Sequence, residues 1–255
     1  MKKEEKFMQT PLQRRSAQTI RKKPLPKRRG LFIVIEGIDA SGKVTQFNLL
    51  KKRLESLNYK LMVADFPRYY TSIWGKLVGK FLAGEFGALE DVDPHLAVLT
   101  YMLDQYTWSR EVATPWIKKG GWILTNRYFT ANVHQIARLE GSVQKKFREW
   151  LWPAGYNDLK ILRPDLVIFI DTKPEVARVL NGMKKKRPYL KGKREDIAEK
   201  DWEHQTKAYR EYKRTVKEND WWVSIPGIKD PKQDFSGEIH KNVCRVFKEY
   251  LGMEI

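Results

Sequence analysis

The sequence predicts an α/β fold, a central parallel sheet of about five strands flanked by helices, and three observations carry that expectation. Five short apolar runs alternate with longer helix-periodic stretches, the order that gives parallel strands joined by helical crossovers. The first run opens into a glycine loop from which a helix departs. Polar residues suited to phosphate chemistry follow the first, second and third runs, at the strand ends where such sheets bind ligands.

In chain order, residues 1–29 form a basic tail with Pro11, Pro24 and Pro26 and few apolar positions, too polar to pack a core. It reads more readily as a solvated tail than as one that touches polyanions. The folded part is expected from residue 30 to 255. Leu31–Ile35 is the first strand, and Val44–Ser56 a helix with Phe47, Leu49, Leu50 and Leu54 as its apolar positions. Leu61–Phe66 is a buried strand, Trp74–Ala83 a helix and Gly84–Pro94 an acidic loop. A long helix is predicted from His95 to Lys119, stopped by Gly120-Gly121. Strand Trp122–Thr125 follows, then helices over Thr130–Leu139 and Ser142–Trp152. Leu166–Ile170 is a strand ending at Asp171, and Lys173–Met183 a helix. After the basic stretch 184–196 come a helix over Ile197–Lys217, a strand at Trp221–Ile225 and a closing helix over Phe235–Leu251. No internal repeat or second domain is predicted.

Composition narrows the function classes. In 255 residues, 42% are hydrophobic and 12% aromatic, which fits a globular core. The net charge of +18 points to anionic partners, whether nucleic acid or phosphorylated ligands in a pocket, although the scattered lysines read more readily as solvated faces. One cysteine, Cys244, excludes an intrachain disulfide and a cysteine metal cluster and fits a reducing compartment. The four histidines lack metal-ligand spacing. No apolar run approaches the roughly 20 residues of a membrane span, and the charged start is neither a secretory signal nor a good transit peptide. A cytoplasmic protein without membrane attachment is expected.

The strongest chemical signal is Gly37-Ile38-Asp39-Ala40-Ser41-Gly42-Lys43, a G-x-x-x-x-G-K loop between a strand and a helix. Glycines let successive backbone N–H groups turn inward around a triphosphate. The helix N-terminus adds positive potential, and the lysine supplies a mobile charge to the β- and γ-phosphates. Residues Gly37 through Thr45 are therefore the expected triphosphate-binding set. The serine or threonine that would ligate Mg²⁺ after the lysine is here Val44, with Thr45 next. Arg127, after the third strand and beside an aromatic, suits bidentate phosphate recognition, although Asn-Arg-Tyr also reads as a capped helix start. Phe66-Pro67-Arg68 is a stiff turn that aims an arginine, or simply a turn. Tyr101 and Gln105, four apart on one helix face, suit stacking on a base and reading its edge as readily as core packing. The stretch Lys184–Arg194 is the expected lid, a cationic loop over phosphates. A guanine-reading Asn-Lys-x-Asp motif is absent, which disfavours a GTPase.

From about Leu31 to Leu251 these residues resemble the thymidylate kinase family. FIVIEGIDASGKVTQ resembles its first strand and P-loop, FPRYYTSIWGKLVGKFLAGEFG its Phe-Pro turn and following helix, and VDPHLAVLTYMLDQ its nucleoside-facing helix. LTNRYFTANVHQ, RPDLVIFID and KREDIAEKDWEHQTKAYREY resemble its later strand ends and lid-to-helix passage. The resemblance implies a three-layer P-loop kinase fold with a mobile lid at about 184–196. It implies transfer of the ATP γ-phosphoryl to thymidine monophosphate with Mg²⁺, in a homodimer. Carried over by position, Lys43 and the loop amides hold ATP, and Asp39 approaches the acceptor sugar. Arg127 and Arg68 take the acceptor phosphate, Phe66 and Tyr101 flank the base, and Gln105, Asn132 and Gln135 complete the acceptor site. Ala40 stands where one branch places an arginine, so Arg187 or Arg194 from the lid is expected to stabilise the transferring phosphoryl.

The chain departs from the family pattern at four positions. Val44 lacks the Mg²⁺ hydroxyl, and Asn126 replaces the aspartate before Arg127, leaving Thr45 or Asn126 to reach the metal through water. Gln105 replaces an arginine at the base, and Ala131 a small hydroxyl residue. Two other readings therefore stay open here. One is a related kinase for another deoxynucleotide or nucleoside; the other is a low-activity nucleotide-binding or nucleic-acid-binding relative.

Overall fold

A computed structural model of the chain describes residues 30–183 and 196–255. The expectations for the tail (1–29) and for lid residues 184–195, including Arg187 and Arg194, lie outside the described residues.

Strand β1 (Phe32–Glu36) is followed by α1 (Lys43–Ser56), β2 (Leu61–Asp65), α2 (Ile73–Leu82) and α3 (Pro94–Trp108). Helix α3 runs through a π-helical segment, Ser109–Ala113, into α4 (Thr114–Lys118). Then come β3 (Trp122–Asn126), a 3-10 turn at Phe129–Asn132, the short α5 (Val133–Ile136) and α6 (Gly141–Pro153). The rest is β4 (Leu166–Asp171), α7 (Pro174–Asn181), α8 (Ile197–Lys200), α9 (Trp202–Glu218), β5 (Trp222–Pro226) and α10 (Ser236–Val246), extended by Phe247–Leu251.

All pairings in the sheet are parallel, in the order β2-β3-β1-β4-β5. Strand β1 is fully buried on both faces, as a strand with helices above and below must be. Phe32 and Val34 point to one core, with Val98, Met102, Phe147 and Tyr212. Ile33 and Ile35 point to the other, with Leu50, Leu54, Val243 and Phe247. Each such large apolar side chain contributes about 1.5–3 kcal/mol by leaving water. The register matters for function. Ile35 and Asp65 both pair with Asn126, and Glu36 lies one residue beyond, so Glu36, Asp65 and Asn126 close neighbouring strands at the same end of the sheet.

The predicted helices are present, with departures where capping or proline intervenes. The long helix expected over His95–Lys119 runs without a gap from Pro94 to Lys118, and it is π-helical over Ser109–Ala113, just before Pro115, which has no N–H to donate. The helix expected over Ile197–Lys217 is split, because Asp201 adopts an extended conformation and its side chain accepts from His204 N at 2.9 Å, starting α9 afresh. Thr130–Leu139 holds a 3-10 turn and only four α-helical residues. No helix among the described residues is long and apolar enough to cross a membrane.

Candidate active site

The carboxyl ends of β1, β2 and β3 open into a cavity of about 490 Å³. Its floor is the glycine loop. Ala40 (φ 59°) and Gly42 (φ 93°) take left-handed conformations that turn the loop back over α1. A Cβ on Gly37 would sit 2.4 Å from Ser41 Oγ, so the loop closes tightly only around glycine there. No side chain among the described residues caps α1, which leaves its first N–H groups to an anion. Thr172, after β4, donates to Ser41 O at 3.0 Å and accepts from Ile228 N at 2.9 Å, bracing the loop from the next strands. Lys43 Nζ donates to Ile38 O at 2.6 Å, folded onto its own loop. Ser41 Oγ is buried without a hydrogen-bond partner among the described residues.

Opposite the loop stands Arg127, held in a left-handed conformation (φ 61°) at the end of β3. Its Nη2 donates to Asp39 Oδ1 at 2.6 Å and its Nη1 to Tyr212 Oη at 3.3 Å, with His134 Nε2 at 3.2 Å. Burial alone would lower its pKa, but Asp39, with Tyr212 and Glu36, more than reverses this and keeps the charge fixed. Behind it Glu36, fully buried, accepts from Thr130 at 2.6 Å and from Tyr212 at 2.8 Å. Burial raises the Glu36 pKa, and Arg127 and the two hydroxyls pull the other way. Gln205 on α9 accepts from Asp39 N at 3.3 Å and donates to Asp39 Oδ2 at 2.9 Å, gripping it from both sides.

The far wall is aromatic and amidic. Phe66 meets the edges of Trp108 and Tyr128 at 5.2 and 5.3 Å and lines the cavity beside Tyr101. Gln105 donates to Tyr128 O and accepts from Asn132 Nδ2, each at 3.2 Å. Gln135 accepts from Arg138 at 2.8 Å. Gln105, Asn132, Gln135 and Ala131 thus form one wall without a guanidinium projecting from residue 105.

Asp39, Ala40, Ser41, Gly42, Lys43, Val44, Thr45, Phe66, Tyr101, Gln105, Asn126, Arg127, Asn132 and Gln135 are thus brought together around one space. Gly37 and Ile38 shape the loop beneath it. Arg68 is placed elsewhere. Its Nε and backbone N bond the two oxygens of the Asp104 carboxylate at 2.9 Å, and its Nη2 bonds Asp104 O and Thr107. Tyr69, the next residue, lines the cavity instead. Glu36, Gln205 and Tyr212 belong to no motif in the sequence, and His134 reads there only as a histidine without metal-ligand spacing. The signal available was an acid closing a buried strand, and Gln205 and Tyr212 seven apart on one helix.

A metal ion would find a small donor set here. Among the described residues no group of three His, Cys, Asp or Glu side chains surrounds an ion. Val44 offers no side-chain oxygen. Asn126 Nδ2 donates to Asp65 Oδ1 at 2.8 Å, and both residues line the cavity. Burial raises the Asp65 pKa, with Asn126 and then Arg127 and Lys43 lowering it. Mg²⁺ at phosphates retains water and takes one or two carboxylates, and Asp65 fits that requirement.

A sequence model of the thymidylate kinase family matches residues 35–239. The chain is 27% identical over 223 residues to the thymidylate kinase of Plasmodium falciparum, covering 86% of this chain and 92% of that one. It is 29% identical to the thymidylate kinase of Caldanaerobacter subterraneus over 227 residues, 88% and 97% of the two. The Schizosaccharomyces pombe thymidylate kinase is 31% identical over 185 residues, 72% and 80% of the two.

Proposed function

The chain belongs to the thymidylate kinase family, and we propose that it transfers the γ-phosphoryl group of ATP to the 5′-phosphate of thymidine monophosphate, giving the diphosphate. The observation that supports this reading is that two cationic groups, Lys43 on its glycine loop and Arg127, line one cavity.

ATP lies with its phosphates on the loop from Gly37 to Thr45, against the uncapped start of α1 and Lys43. The acceptor phosphate takes the guanidinium of Arg127, which Asp39 keeps charged and oriented. The acceptor sugar lies against Asp39, and its base between Phe66, Tyr101 and the amides of Gln105, Asn132 and Gln135. Aligning nucleophile and electrophile, and placing cations where charge moves, are the main catalytic terms in phosphoryl transfer. Asp65, with Thr45 or Asn126 nearby, would hold Mg²⁺ beside the phosphates, where it would supply neutralisation of phosphate charge. Arg187 or Arg194 supplies the remaining charge. Leu180 and Asp196, on either side of that stretch, line the cavity.

The rest of the reading is a cytoplasmic homodimer whose kinase domain starts near residue 30, with a basic tail able to meet polyanions. Ile73 on α2 (72% exposed) and Leu96 and Leu99 on α3 (63% and 44%) are exposed apolar side chains that a second copy would cover. Calorimetric titration tests the acceptor site. Thymidine monophosphate should bind the wild type and bind Arg127→Ala at least tenfold more weakly; equal affinity removes Arg127 from the site.

A further inference from the structure

Two histidines stand behind Arg127 and have no part in the reaction as described. His134 (α5) and His204 (first turn of α9) both line the cavity, with His134 Nδ1 3.4 Å from His204 Nε2. His134 Nε2 is 3.2 Å from Arg127 Nη1. Chemistry fixes the direction of this chain. A guanidinium only donates, so His134 Nε2 must be an unprotonated acceptor and its proton must sit on Nδ1. That N–H faces His204 Nε2, which must accept in turn, leaving the His204 proton on Nδ1. Of the five Arg127 N–H groups, those of Nη1 go to His134 and Tyr212 and one of Nη2 goes to Asp39. The Nε–H and one Nη2–H have no partner among the described residues.

We propose that His134, locked in its Nδ1–H tautomer by His204, is a positioning residue that fixes the Nη1 side of Arg127 and leaves its two remaining N–H groups for the acceptor phosphate. The inference rests on Arg127 being the acceptor-phosphate arginine. The surroundings favour the neutral imidazoles that it needs. His134 faces the cations Arg127 and Lys43, the anion Asp39, the ring edge of Tyr212 and His204. His204 faces Asp201 and Lys207 on its own helix, Arg138 beyond α5, and Asp39. Burial, and then Arg127, hold the His134 pKa well below its ordinary value, while burial brings His204 to about 4.

The test compares His134→Leu, which removes the acceptor, with His134→Gln, whose amide oxygen can replace it. Expected is a KM for thymidine monophosphate raised tenfold or more in H134L, with the KM for ATP within twofold, and recovery to within threefold of wild type in H134Q. The wild-type to H134Q ratio of acceptor KM should stay constant from pH 8 to pH 6, since the acceptor's own phosphate titrates equally in both. Long-range ¹H–¹⁵N NMR of the wild type should find Nδ1–H tautomers at both histidines. An unchanged acceptor KM in H134L, no recovery in H134Q, or an Nε2–H tautomer at His134 overturns the proposal. Arg127→Lys separates the failures. If it loses acceptor affinity while H134L does not, His134 has no positioning role. If it also keeps affinity, the assignment of Arg127 falls and the proposal falls with it.

Discussion

Asp39 Oδ1 lies 2.6 Å from Arg127 Nη2, so the loop that follows β1 and the turn that follows β3 are joined by a charge pair across the cavity. The loop that would hold the donor phosphates and the arginine that would hold the acceptor phosphate are thereby set in fixed relation.

Asp39→Asn keeps the shape and removes the charge. Hydrogen bonds to charged groups are worth about 1.5–3 kcal/mol, so kcat/KM for thymidine monophosphate should fall roughly 10- to 100-fold. Steady-state kinetics should find the KM for ATP nearly unchanged. An equal effect on both substrates would contradict the assignment of Asp39 to the acceptor side.

Arg68→Ala should behave oppositely. It strands the Asp104 carboxylate, which is only 1% exposed, and breaking such a buried pair costs about 3–5 kcal/mol. Urea unfolding should show that loss, while the acceptor KM of the folded protein moves less than threefold. A large KM effect would return Arg68 to the acceptor site.

Asp65→Asn tests the metal side. Loss of an outer ligand typically weakens metal affinity about 10- to 100-fold. The Mg²⁺ concentration for half-maximal rate, and Mn²⁺ binding to the ADP complex followed by electron paramagnetic resonance, should both shift in that direction. Unchanged Mn²⁺ affinity would remove Asp65 from the metal site.

The buried histidines also predict a pH dependence of stability. Their folded pKa values lie below the unfolded value near 6.5, so below that pH the unfolded chain binds more protons and stability falls as pH drops toward 4. The slope approaches about 1.4 kcal/mol per pH unit for each histidine. Glu36 and Asp65, whose pKa values are raised, act in the opposite sense once pH exceeds their unfolded values. The His204 contribution is therefore the difference between wild type and His204→Leu in urea unfolding at pH 7.5, 6.5 and 5.5. A constant difference would contradict it.

The sheet, the glycine loop and Arg127 were legible because each depends on neighbours within a few residues: an apolar run, a loop spacing, a strand end. Contacts across long separations were not. Nothing near Arg68 reveals that Asp104, 36 residues on, takes its guanidinium and turns it from the cavity. His134 and His204 are 70 residues apart and meet only because α5 packs against α9. The split between α8 and α9 had a readable cause, since Asp201 stands before the apolar periodicity resumes and can cap His204 N. The Asn126 departure likewise gained meaning from register, which sets Asp65 beside it on the next strand.

The most direct measurement of the central claim follows ADP release from ATP and Mg²⁺ with a panel of nucleoside monophosphates. Thymidine monophosphate should give turnover that Lys43→Ala abolishes, and it should be preferred over the other acceptors. ADP release only with a different acceptor, or ATP binding without turnover on any acceptor, would contradict the account.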